Sequence, residues 1–162
     1  MNLIVAVDEN FGIGKNNDLL ISIPEDMKRF RQITSLKTVV MGRKTYDSLH
    51  IKPLPKRNNI VITKTEDKES FDKSVVVYND MNKFISDYKD NDDVFVIGGA
   101  QIYNQLMPYC KYAYITHIYK NFYADTFMNK LDKEWEKIEE SDLKSYNDIK
   151  YRYCLYRNIN IQ

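Results

Sequence analysis

Three groups of residues in this sequence could do chemistry. The first is a carboxylate set among apolar side chains. Ser22-Ile23-Pro24-Glu25 fits the S-x-x-E capping box that opens helices, with Ser22 as N-cap and Pro24 tolerated in the first turn. At roughly 100° per residue from Ile23, Met27 falls at about 40°, Phe30 at about 340° and Ile33 at about 280°, and Asp26 falls at about 300°, inside that arc. An acid there can be an edge charge that favours the helix N-terminus and pairs with Arg29. It can instead open into an apolar pocket. Burial would then raise its proton affinity, and it would hold a cationic or amidine-like ligand edge or assist proton transfer. Helix geometry leaves both open.

The other two groups are glycines at the ends of apolar runs. In VVMGRKTYDS, Gly42 is followed by Arg43, Lys44 and Thr45, which at a helix start offer free N–H groups, a hydroxyl and two cations to an anion. In VFVIGGAQIYNQL, Gly98-Gly99 lets backbone approach a ligand closely. The spacing matches neither G-x-G-x-x-G nor the P-loop, and each glycine site can equally be a tight strand–helix turn. Together they suggest a phosphate-bearing ligand, such as a dinucleotide, bridging two helix starts.

These residues need a scaffold, and the hydrophobic pattern supplies one. LIVAV (3–7), TVVMG (38–42), NIVIT (59–63), SVVVY (74–78), DVFVIGG (93–99) and YAYITHIY (112–119) read as buried strands. Helical patterns follow the first, second, fourth and fifth of them, the third of these helices over 81–89. HIKPLPKR is a proline-punctuated loop, and 64–73 is a polar surface loop. WEKIEES and IKYRYCLYRN read as an antiparallel pair. Strands alternating with helices argue for α/β with a largely parallel sheet and an antiparallel edge, in one domain.

Composition narrows the function classes. The chain has 162 residues, 43% hydrophobic and 29% charged, with a net charge of +1. That gives no electrostatic footprint for nucleic acid or an anionic membrane. Two cysteines and two histidines without a CxxC suggest reduced thiols rather than a disulfide framework or a zinc site. The N-terminal run is too short for a signal peptide, and no apolar segment reaches the ~18 residues of a membrane span, so a cytoplasmic protein is expected.

In order, IVAVDENFGIGKNN, IPEDMKRF, VVMGRKTYDSL, LPKRNNIVIT, VFVIGGAQIYNQLMP, YITHI and ADTF resemble the bacterial dihydrofolate reductases over nearly the whole chain. That resemblance favours a working role for Asp26. It implies a mostly parallel eight-stranded sheet with an antiparallel C-terminal edge strand and four flanking helices. It further implies one domain over 1–162, with an adenosine-binding subdomain at about 38–90 and the remainder a loop subdomain. The implied activity is NADPH-dependent reduction of 7,8-dihydrofolate to tetrahydrofolate in support of one-carbon metabolism and thymidylate synthesis. Antifolate inhibitors and a monomeric state are implied as well.

Carried over to this sequence, the resemblance makes Asp26, Thr116, Leu19 and Ile21 the catalytic set. Asp26 would bind the pterin ring nitrogen and its 2-amino group, with Thr116 bonded to the carboxylate. Ile4, Val5, Ala6, Met27, Phe30, Leu49, Leu54 and Ile97 would form the folate site, Ile4 and Ile97 through their carbonyls. Arg57 would clamp the glutamate α-carboxylate. Cofactor contacts would come from Ala6, Ile13, Gly14, Gly42, Arg43, Lys44, Thr45, Thr63 and Lys64, and from Ile97, Gly98, Gly99, Ala100, Gln101, Ile102 and Tyr103. Arg43 with Lys64 would select the 2′-phosphate, and Gly98–Gly99 would be cis. Residues 9–23 would form a mobile loop held by Asp125. The chain departs from many relatives at Ile21, where they carry a tryptophan whose N–H binds a water, and at Gln101, where some carry an arginine. Two alternatives are an NADPH reductase of the same fold acting on another heterocycle, and a non-catalytic nucleotide-binding module. Asp26 on its apolar arc, with Arg57, speaks against the first, and the second leaves the helix carboxylate and the apolar pocket unexplained.

Overall fold

A computed structural model describes residues 1–65 and 68–161. The strands and helices follow the chain in this order: β1 (Asn2–Val7), β2 (Gly12–Gly14), α1 (Pro24–Thr34), β3 (Thr38–Gly42), α2 (Arg43–Ser48), β4 (Asn58–Ile62), β5 (Val76–Tyr78), α3 (Met81–Tyr88), β6 (Val94–Gly98), α4 (Ala100–Leu106), β7 (Tyr112–Ile118), β8 (Thr126–Phe127), β9 (Trp135–Glu140), β10 (Lys144–Tyr146) and β11 (Ile149–Asn158). The expected strand over 74–78 is shorter, β5 alone, because Asp72 turns the chain through bonds to the Ser74 N–H and hydroxyl. Part of the polar loop, Glu66 and Asp67, lies outside the described residues.

The main sheet runs β10-β11-β7-β1-β6-β3-β4-β5. From β7 to β5 every pairing is parallel, and β11 lies antiparallel to β7. Strands β9 and β10 share the outer side of β11, so the sheet is eight positions wide and β11 is one place in from its edge. The apolar runs read as buried strands are buried: Leu3, Val39, Val40, Val61, Val94, Val96 and Ile115 are all shielded from solvent. Alternation along β1 sends Leu3, Val5 and Val7 into one core with Val40, Ile60, Phe84 and Leu106. Ala6 faces the other side, where it packs beside Ile21, Ile23, Ile118 and Tyr151.

Helix α1 begins one residue later than the capping box implies. Its N-cap is Ile23, with no side-chain cap bond, and Pro24 is the first helical residue. Ile23 is 2% exposed and packs against Ile118 and Tyr151. Burying that side chain, worth roughly 1.5–3 kcal/mol, outweighs the ~1 kcal/mol of a serine cap, and Pro24 pre-sets the backbone there. Ser22 is left exposed.

The connections create an opening. From β1 the chain passes to β3, β4 and β5 on one side, returns to β6 between β1 and β3, then crosses to β7 on the far side of β1. Pairing between β1 and β6 stops at Leu3↔Val96, while β1 stays with β7 as far as Val7↔His117. Meanwhile β6 follows β3 to Met41↔Gly98, with a register shift that leaves Ile97 bulged. The sheet therefore parts between β1 and β6 at its C-terminal ends, the place where open α/β sheets bind ligands.

Candidate active site

The carboxylate stands at this opening. Asp26 is the third residue of α1, and Thr116 Oγ1 donates to its Oδ1 at 2.6 Å. Thr116 is buried on β7, opposite Ala6 of β1 and Tyr153 of β11. Burial raises the proton affinity of Asp26 above that of an ordinary carboxylate, while the Thr116 bond and the charge of Arg29 pull it back. Arg29 forms no ion pair with it among the described residues; its guanidinium lies 4.2 Å above the Tyr153 ring. So Asp26 has one firm partner and an oxygen available for a ligand, which favours the working carboxylate over the edge charge.

Ala6, Met27, Phe30, Leu49, Leu54 and Ile97 are all half-buried, the exposure that walls of an open cleft require. Leu49, Leu54 and Ile97 rest on the cluster of Val39, Met41, Tyr46, Val61 and Phe71. Ile21 is half-buried among Ala6, Ile23 and Tyr151, and has no side-chain donor to offer. Leu19 is 59% exposed. Val5 points away, into the core on the opposite face, and can meet a ligand only through its backbone. The Ile4 carbonyl accepts a 2.7 Å bond from the buried Tyr103 hydroxyl, which leaves it one further lone pair for a ligand.

Arg57 is aimed by residues that the sequence reading passed over. Its Nη1 donates to Thr34 Oγ1 at 3.1 Å, its Nε donates to the Pro55 carbonyl at 2.9 Å, and its head lies 5.8 Å from the Phe30 ring centre. Thr34, fully buried, is fixed in turn by donating to the Phe30 carbonyl. The same helical wheel that found Asp26 puts Thr34 at about 20°, in the middle of the apolar arc. Buried Asn59 ties down the loop before Arg57 by bonding Leu54 N–H and the carbonyls of Leu54 and Arg57.

On the other side of the opening the two glycine turns adjoin. A Cβ at Gly98 or Gly99 would come 3.3 or 3.5 Å from Thr45 Oγ1. One at Gly42 would meet Ile102 at 3.1 Å and the Gly99 nitrogen at 4.0 Å. Neither Gly42 nor Gly99 caps its helix with a side chain, so the N–H groups at the starts of α2 and α4 are uncapped by the glycine ahead of them. This cradle of backbone N–H groups, the Thr45 hydroxyl and the exposed Lys44 fits a pyrophosphate. The Gly98–Gly99 peptide is cis, and Gly98 has φ +134°, where side chains are rarely found. Ala100 is half-buried and Gln101 exposed, while Ile102 and Tyr103 belong to the core.

Further along, Thr63 follows β4 directly and is held by Asn79, whose amide donates to the carbonyls of Thr63 and Thr65. Lys64 is exposed beside it. Arg43 is fixed by Ser70 at 3.0 Å, by Asp47 at 3.6 Å and by the Phe71 ring at 4.8 Å.

Residues 9–23 are anchored at both ends. Asp8, 2% exposed, accepts the N–H groups of Asn10 and Gly12, each at 2.8 Å. Strand β2 pairs with β8, Asp125 accepts from Asn16 N–H at 2.9 Å, and Asp125 N–H donates to Gly14. Ile13 packs against the main core.

A parallel sheet parted at its switch point, a double-glycine cradle on one side and a desolvated acid on the other define an α/β enzyme that uses a nucleotide cofactor. The dihydrofolate reductase family model matches residues 1–158. The chain is 34% identical over 163 residues to the dihydrofolate reductase of Bacillus subtilis, covering 99% of this chain and 95% of that protein. It is 37% identical over 137 residues to that of Haemophilus influenzae, covering 83% and 82%. Dihydrofolate reductase from Enterococcus faecalis, solved with NADP(H) and RAB-propyl, superposes with a TM-score of 0.84 at 30% identity, covering 96% and 94%. The chain belongs to the dihydrofolate reductase family.

Proposed function

We propose that the cleft between β1 and β6 carries out NADPH-dependent reduction of 7,8-dihydrofolate to 5,6,7,8-tetrahydrofolate, with Asp26 as the acid that holds the pterin. The observation that carries this reading is the Asp26–Thr116 pair at the parted end of the sheet. When bound, NADPH supplies the hydride that the pterin receives at C6. Asp26 accepts from the ring N–H and the 2-amino group, a two-point fit that fixes the ring and raises the basicity of N5. Thr116 keeps the carboxylate turned toward that edge, and the apolar walls exclude bulk water so that this polarisation is felt strongly. Arg57, held by Thr34, takes the glutamate carboxylate. The starts of α2 and α4 bind the pyrophosphate, and Lys64 with Arg43 favours the 2′-phosphate. Residues 9–23, tied to Asp125, close over the reacting rings.

Residues 38–90 form the adenosine-binding part, and the remainder carries the loop and the folate half. Antifolates would occupy the same carboxylate, and the enzyme works as a monomer in the cytoplasm; no helix among the described residues is long and apolar enough to cross a membrane. Loss of NADPH absorbance on adding dihydrofolate tests the reading. Steady oxidation is expected, and a well-folded sample without turnover contradicts it.

A further inference from the structure

A cation one helical turn from Asp26 does not pair with it among the described residues. Arg29 follows Asp26 by three residues on α1, a spacing that brings side chains together on a helix. Yet its guanidinium is stacked 4.2 Å over the Tyr153 ring. Tyr153 sits opposite Thr116 in the β7–β11 ladder, and Thr116 holds Asp26. The ring that keeps Arg29 and the hydroxyl that keeps Asp26 are thus neighbours on one face of the sheet. Beyond Arg29 a cleft of about 260 Å³ opens, lined by Glu139, Glu140, Ser141, Cys154 and Leu155.

On the strength of the reading of Asp26 given above, we propose that Arg29 is a positioning residue for the reaction: stacked on Tyr153, it acts on Asp26 by its charge alone and leaves the carboxylate oxygens to the pterin. A direct pair would fill the oxygens that the pterin needs. No cation nearby would leave burial unopposed and Asp26 too readily protonated. Tyr153 keeps Arg29 between those extremes, by a contact suited to a guanidinium over a phenol. The charge of Arg29 opposes the effect of burial on Asp26, in line with this placement.

The other groups around Asp26 leave Arg29 as its main cation. Thr116 of β7 and Ala6 of β1 do not titrate. Tyr151 and Tyr153 of β11 are phenols, and burial pushes that of Tyr153 well up. Lys144 of β10 lies 5.8 Å from the centre of the Tyr153 ring. Glu139 of β9 lines the outer cleft, and Glu25 of α1 is exposed.

The test is the pH dependence of kcat/KM for dihydrofolate in Arg29→Met, Arg29→Lys, Tyr153→Leu and Asp26→Asn. In Arg29→Met the Asp26 limb should move up by roughly half a pH unit, the order of effect expected on losing one partly solvated neighbouring charge. Arg29→Lys keeps the charge and should restore the limb. Tyr153→Leu frees Arg29 to pair with Asp26, so the limb should move down and KM for dihydrofolate should rise. NADPH affinity should hold in all of these. An Arg29→Met profile that superimposes on wild type overturns the proposal, as does a Tyr153→Leu limb at or above the wild-type position. A matching loss of NADPH affinity in Arg29→Met would show a merely structural role and overturn it too. Loss of the limb in Asp26→Asn alongside an unmoved Arg29→Met profile sinks the Arg29 proposal and spares the reading of Asp26. A limb that survives in Asp26→Asn sinks both.

Discussion

Asp26 binds its proton more tightly in the folded chain than in the unfolded one, because burial disfavours the ionised form. The folded state therefore holds more proton between the unfolded value, about 3.9, and the raised folded value. Stability falls as pH rises through that window and stays lowered above it. Asp26→Asn keeps an acceptor for Thr116 and removes the desolvated charge. Its thermal midpoint should exceed that of wild type at neutral pH, and the gap should close below about pH 4. Equal midpoints throughout would mean that the carboxylate is not desolvated. On the cofactor side, Lys64→Ala should weaken NADPH several-fold more than NADH in equilibrium titrations, if the exposed ammonium reads the extra phosphate as proposed. An equal effect on both would deny Lys64 that role. Asp26 itself could be found from helical spacing, since an acid inside an apolar arc is anomalous. Thr34, a hydroxyl in the same arc, was within reach of that reasoning, but Asn59, Asp8 and Asn79 were not. Each is a small polar residue whose task is to bond backbone or side chains brought to it by the fold, up to 114 residues away for Asp8 and Phe122.

Among the elements, continuous apolar runs made the parallel strands readable, because strands covered on both faces need no polar alternation. Helix α1 starts one residue later than its capping box implies. The capping box is a local rule, and the burial of Ile23 against β7 and β11 is a tertiary effect that overrides it. The two-stranded β2–β8 sheet leaves no mark in the sequence, since its segments of three and two residues carry no period. The β6–α4 junction yields a sharp prediction. Gly98 stands at φ +134° with Thr45 and Tyr103 close by, so Gly98→Ala needs both a disfavoured backbone and a shift of its neighbours. It should lower stability by more than about 1 kcal/mol and weaken NADPH binding together. A variant with wild-type midpoint and affinity would show that the cradle tolerates a side chain.

For the molecule as a whole, chemistry and topology coincide. Strand β6 lies between β1 and β3, its ladder with β1 is short, and the parted ends leave Asp26 and Thr116 on one side and the Gly42 and Gly98–Gly99 turns on the other. The collinear motifs named the family and the wide parallel sheet from sequence. What they could not give was the length of the β1–β6 ladder or the stacking of Arg29, which depend on three-dimensional register. The most direct measurement compares dihydrofolate-dependent NADPH oxidation by wild type and Asp26→Asn at neutral pH. Steady turnover by wild type is expected, with a variant slower by on the order of 10²-fold or more and NADPH affinity intact. Full activity in Asp26→Asn would contradict the role given to Asp26.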